Sequence, residues 1–129
     1  MTPQLEEALR LLRLARRDQE VFLIIAAAGG NTHAAAGFHA QQAVEKALKA
    51  LLCANDLDYP RTHDLETLAE RLTASPDALP FSATRLRPLT PYAVDFRYDD
   101  EAASLLSEPE MRALVADVLD FASEKLGAR

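Results

Sequence analysis

Gly29-Gly30 stands between two long runs, PQLEEALRLLRLARRDQEVFLIIAAA and HAAAGFHAQQAVEKALKALLCA, both rich in Ala, Leu, Glu, Arg, Lys and Gln. Such residues lose little rotamer freedom in a helix, whereas a glycine pair suits a helix stop. The pattern predicts a first helix from Thr2 or Pro3, with Thr as cap and Pro at the first helical position. A second helix is expected from Asn31 or Thr32 to about Ala54, ended by Asn55-Asp56 and the later Pro60. Joined by so short a turn, the two should pack as an antiparallel hairpin. On the first helix Leu5, Ala8, Leu9 and Leu12 share one side, continued by Val21, Ile24 and Ile25, while Leu11 and Leu14 point away. That breadth of apolar surface is the sequence's argument for self-association.

Strand signals are nearly missing, because β-branched residues are sparse and alternation never persists. In YPRTHDLETLAERL, Thr62 is the expected cap of a shorter third helix, with Asp64 and Glu66 near its N-terminus and a stripe of Leu65, Leu68, Ala69 and Leu72. Pro88 and Pro91 interrupt SATRLRPLTPYAVDFRYD, which predicts an irregular fourth helix, regular only from about Thr90 to Arg97. SEPE opens the last helix with a Ser107–Glu110 capping box, and Gly127 closes it. The expected fold class is all-α: an antiparallel up-and-down helical bundle, four main helices plus one short helix, in a single domain over residues 1–129.

With 129 residues, 49% of them hydrophobic, the chain can bury about two-thirds of its unfolded surface and needs no staple. The single Cys53 excludes an internal disulfide framework and a thiolate zinc site. The N-terminus lacks the apolar core of a signal peptide, and the longest apolar run, VFLIIAAAGG, is too short to span a bilayer. A cytoplasmic protein is expected. A net charge of −6 disfavours bulk binding of nucleic acid and leaves room only for a local basic patch.

One stretch offers such a patch. In FHAQQAVEKALK, at about 100° per residue, His39, Gln42, Lys46 and Lys49 fall within roughly an 80° arc, opposite Ala40, Val44, Ala47, Leu48 and Leu51. No acid lies in the stripe, although Glu45 sits at its margin. A solvated bundle face has this geometry. So does a surface that holds a phosphate or carboxylate.

FHAQQAVEKALKALL, followed by RTHDLETL and later by FRYDDE, resembles the HEPN domain family over roughly residues 8–125. The resemblance implies an up-and-down helical bundle, often a homodimer, and a partnership with a minimal nucleotidyltransferase, in several cases as toxin and antitoxin. It also implies a nucleotide-binding role. Where present, the family's ribonuclease signature is an Arg followed by four to six residues and a His. Here the matching Arg97 is followed at those positions by Ala102, Ala103 and Ser104, and none of His33, His39 and His63 follows an Arg at that spacing. The acids of Asp99, Asp100 and Glu101 would also repel an RNA backbone.

Other constellations carry less. His63-Asp64 is either a carboxylate-oriented base or part of a helix start. Asp99, Asp100 and Glu101 lack fixed geometry for a metal. Tyr59, Tyr92 and Tyr98 are expected at the core edge with exposed hydroxyls. Arg97 either pairs with Asp64 or Glu45 or enlarges the anion face. The leading expectation is therefore a non-catalytic binding module without cofactor or metal, probed at a nucleotide or anion site of His39, Gln42, Lys46, Lys49, His63, Arg97 and Tyr98. The rival is a ribonuclease with a non-standard site using His63 and Arg97.

Overall fold

The computed structural model describes residues 1–93 and 106–127. Its order is α1 (Pro3–Ala28), α2 (His33–Ala54), α3 (Leu65–Glu70), a 3₁₀ segment (Ala83–Ala93) and α4 (Glu108–Gly127). All regular elements among the described residues are helical: four of seven residues or more and one short, as expected.

The helix ends follow local chemistry. Thr2 Oγ1 accepts from the Leu5 amide at 3.1 Å, and Pro3 fills the first helical position, where no amide hydrogen is needed. Gly29 and Gly30 take φ of +68° and +71°, a left-handed turn that side chains resist. Ser107 and Glu110 form the capping box reciprocally, at 3.2 and 3.1 Å. The carboxyl of Glu110 is accordingly held below its ordinary range by its bonds to Ser107.

Two expectations change. Asp64, not Thr62, caps α3: its carboxylate accepts from the amides of Glu66 and Thr67, while Thr62 supports the turn from the Asp64 amide. A carboxylate at a helix N-terminus also meets the favourable end of the helix dipole, which a hydroxyl does not. The fourth element is a 3₁₀ helix as far as Ala93, because Pro88 and Pro91 each remove an amide that an α-helix would bond. The part of that expectation beyond Ala93, with Arg97, Tyr98 and Asp99–Glu101, lies outside the described residues. Leu65 N donating to Thr90 Oγ1 at 3.1 Å, and Arg87 pairing with Glu66 at 2.9 Å, tie α3 to the 3₁₀ segment.

The centre of the molecule is α2. None of its residues from His33 to Ala54 is exposed, and it packs against α1, α3, α4 and the 3₁₀ segment. Ala36, Ala40, Ala43, Ala47 and Ala50 are all buried, which lets neighbouring helices approach closely. Gly37 is the tightest point, where the fully buried ring of Tyr92 lies against the backbone. The Tyr92 hydroxyl is therefore not exposed; it stands 3.3 Å from His33 Nε2.

Against this helix α1 buries Ala8, Leu11, Ala15, Asp18 and Phe22. Leu11, on the side away from Leu5, Leu9 and Leu12, is in the core. Leu5, Leu9 and Leu12 are only partly buried. The reason is that Leu occupies α1 over so wide an arc that periodicity alone does not choose the inward side.

Candidate functional site

The stripe on α2 is half-buried and does not lie open to water. His39 and Lys46 are two turns apart on the side facing α1. Across the seam, Asp18 is the single acid on the buried face of α1, in step with Leu11, Ala15 and Phe22. His39 Nδ1 donates to Asp18 Oδ1 at 3.0 Å, and Lys46 Nζ donates to Asp18 Oδ2. One carboxylate thus holds both the imidazole and the ammonium of the stripe's upper half.

The lower half closes on Glu45, which is buried. Its Oε1 accepts from Gln41 Nε2 at 3.1 Å and from His63 Nδ1 at 2.8 Å, and its Oε2 accepts from Lys49 Nζ at 2.9 Å. Burial by itself would raise this carboxyl. The bonds from Lys49, His63 and Gln41, with the charge of Lys49, more than offset it and hold the group below its ordinary value. Gln41, fully buried, also donates to the His63 carbonyl at 3.0 Å and accepts from Gln42 Nε2 at 2.8 Å. Gln42 therefore joins the network through its neighbour. Tyr59 lies 5.5 Å beneath the Lys49 ammonium, a cation–π contact that covers the far end.

Five expected site residues are thus brought together: His39, Gln42, Lys46, Lys49 and His63. Arg97 and Tyr98 lie outside the described residues. The carboxylate that orients His63 is Glu45 and not its sequence neighbour Asp64, whose oxygens are turned toward the α3 amides. A carboxylate oxygen only accepts, so Nδ1 of His39 and of His63 must carry the hydrogen, which leaves each Nε2 as the remaining nitrogen. His63 is the more open of the two, with 57% of its side chain exposed against 30% for His39.

Asp18, Glu45 and Gln41 were not among the expected site residues. Asp18 did leave a signal, an acid in the middle of an apolar face of α1. Such a residue needs a buried partner, since an unpaired charge there is costly. Glu45 left only its place at the stripe's margin, because its bond to His63 comes from a loop distant in sequence.

Chemically, the network sets two ammonium groups and two imidazoles against two carboxylates. It can orient imidazoles and present N–H donors, but Asp18 and Glu45 already occupy the ammonium groups. Among the described residues no group of three or more His, Cys, Asp or Glu is placed to hold a metal. No described helix is long and apolar enough to cross a membrane. Cys53, one turn beyond Lys49 on α2, is partly buried, its thiol raised by burial and by Glu7 and Asp56.

The family model described as HEPN domain matches residues 5–125, nearly the whole chain. No curated protein and no solved structure matches significantly.

Proposed function

This chain belongs to the HEPN domain family, and on that premise we propose that it is a non-catalytic, homodimeric binding module, working in the cytoplasm and engaging a minimal nucleotidyltransferase in a toxin–antitoxin-like system. The observation that carries this reading is in the chain itself. After Arg97, the positions where the ribonuclease signature requires His hold Ala102, Ala103 and Ser104. Metal-independent RNA cleavage needs a group that moves a proton beside the one that holds the phosphate, and this segment supplies only the second.

The pairing within the α2 stripe supports the same reading. Its ammonium groups serve Asp18 and Glu45, so they brace the α1–α2 seam and the His63 loop. A nucleotide or phosphate at His39, Gln42, Lys46, Lys49, His63, Arg97 and Tyr98 remains part of the proposal, as a weak site at which the anion competes with two carboxylates. Calorimetric titration with a nucleoside triphosphate, beside Lys46→Ala plus Lys49→Ala, measures it.

One observation favours a second reading. His63 is a half-exposed imidazole with Nδ1 on a buried carboxylate, the arrangement that orients a general base. In this rival, His63 and Arg97 form a non-standard ribonuclease site. Purified protein incubated with labelled RNA separates the two. The RNA is expected to survive intact, and cleavage that disappears in His63→Ala would overturn the first reading. Co-expression with a minimal nucleotidyltransferase is expected to yield a joint complex.

A further inference from the structure

A shallow groove of about 350 Å³ runs between α1 and α4, lined by Leu9, Leu12, Arg13, Arg16 and Ser123. Its floor is Leu9 and Leu12 of α1, which are only partly covered. The two banks differ in charge. On α1, Arg13 and Arg17 are exposed and have no partner among the described residues. On α4, Asp117, Asp120 and Glu124 are exposed along one line, with Asp120 showing 72% of its side chain to solvent. A basic bank and an acidic bank therefore flank one apolar strip.

The register of the banks follows from Arg16. Its guanidinium reaches Ser123 Oγ at 2.7 Å, Asp120 Oδ1 at 3.1 Å and the Leu119 carbonyl at 3.4 Å. Position 16 of α1 is thus level with 119–123 of α4, and Leu9, Leu12 and Arg13 meet Ser123 further along, so the helices run antiparallel. By that register Arg13 stands at the height of Glu124, and Arg17 at the height of Asp120. Both pairs have the i, i+4 spacing that puts side chains on one helix face.

From this surface we infer that the occupant of the groove is a second copy of the chain, related by a two-fold axis parallel to α1 and α4. Such an axis lays α1 of one copy on α4 of its partner and preserves height along the helices. Arg13 and Arg17 then meet the partner's Glu124 and the partner's Asp120, and the same pairs form again on the other side, as an isologous interface requires. By the same register Glu20 comes level with the partner's Asp117, the one like-charged pair of the set, in a chain whose own Arg85 pairs with Asp117 at 2.8 Å. The alternative axis, across the helices, would set Arg13 and Arg17 against themselves, and like charges at close range are disfavoured. Two helices about 30 Å long and 10 Å wide offer roughly 600 Å² per copy, just under the usual size of a specific interface. The dimer formed this way is modest in strength and sensitive to salt.

The inference rests on the homodimer reading and adds which face is used. Light scattering at low salt is the test, on wild-type protein, on Arg13→Glu plus Arg17→Glu, and on Asp120→Arg plus Glu124→Arg. Wild type is expected at twice the 14.2 kDa of one chain. Each charge-reversed protein alone is expected at the monomer mass, because both of its contacts become repulsive. Mixing the two reversed proteins is expected to restore the dimer, since the reversed positions then meet opposite charges, and this recovery also proves both proteins folded. A monomeric wild type would sink the homodimer reading and this one together. A dimeric wild type with reversed proteins that stay dimeric, or a mixture that stays monomeric, would sink the face alone.

Discussion

The contact between Gly37 and Tyr92 gives a prediction whose sign two opposed effects decide. In an ordinary helix interior, Gly→Ala stabilises by about 1 kcal/mol, because alanine has less backbone freedom to lose. At position 37 a Cβ would fall 2.2, 2.6 and 2.8 Å from three carbons of the Tyr92 ring, where ordinary contact begins at 3.4 Å. The ring would have to retreat by about 1.2 Å. It is fully buried, and its segment is stiffened by Pro88 and Pro91, so it has little freedom to do so. Overpacking a core costs about 1–3 kcal/mol, and a stiff ring places this site at the upper end. Gly37→Ala is therefore expected to destabilise by about 2 kcal/mol net, lowering the midpoint of thermal unfolding by about 8 °C for a chain of this size. Urea unfolding followed by circular dichroism measures it, with an unchanged slope showing that the unfolded state is not involved. In a Tyr92→Leu background the same change should become neutral or stabilising by up to about 1 kcal/mol. A Gly37→Ala protein as stable as wild type, with Tyr92 intact, would refute the reasoning.

Two further changes probe the polar network and the third helix. Glu45→Ala leaves Lys49, His63 and buried Gln41 without their shared acceptor; because Lys49 and His63 can turn toward water, the expected loss is about 2–3 kcal/mol by denaturant titration, below the full cost of breaking a buried pair. The Glu45 carboxyl is held below its ordinary 4.5 in the folded protein, so its contribution is complete above that value and fades as pH falls through the folded pKa; Glu45→Gln should flatten this acid limb of stability against pH. Asp64→Ala removes the acceptor of two α3 amides and is expected to cost about 1 kcal/mol, while Thr62→Ala costs less, the reverse of what the sequence alone suggests.

The ends of the long helices were legible from residue types, because a cap acts within its own four residues. Thr2-Pro3, Gly29-Gly30 and Ser107–Glu110 each name a helix boundary without help from the rest of the chain. What faces what was harder. Leu9, Leu11, Leu12 and Leu14 all suit a buried position, and the choice of Leu11 depended on how α2 and α4 divide the surface of α1 between them. The stripe on α2 was visible, yet its meaning was not. Whether Lys46 and Lys49 lie free or neutralised depends on Asp18 and on Glu45, the first on another helix and the second enclosed by a distant loop.

The line of small residues along α2 also governs how this protein can change. Ala36, Ala40, Ala43, Ala47 and Ala50 are spacers that set the distance between their neighbours. Any enlargement there pushes two helices apart at once, and a dense interior has nowhere to absorb the displacement. Variation in such a lineage is therefore channelled outward, to the flanks of α1 and α4, where recognition of other molecules can drift while the mast at the centre stays the same width.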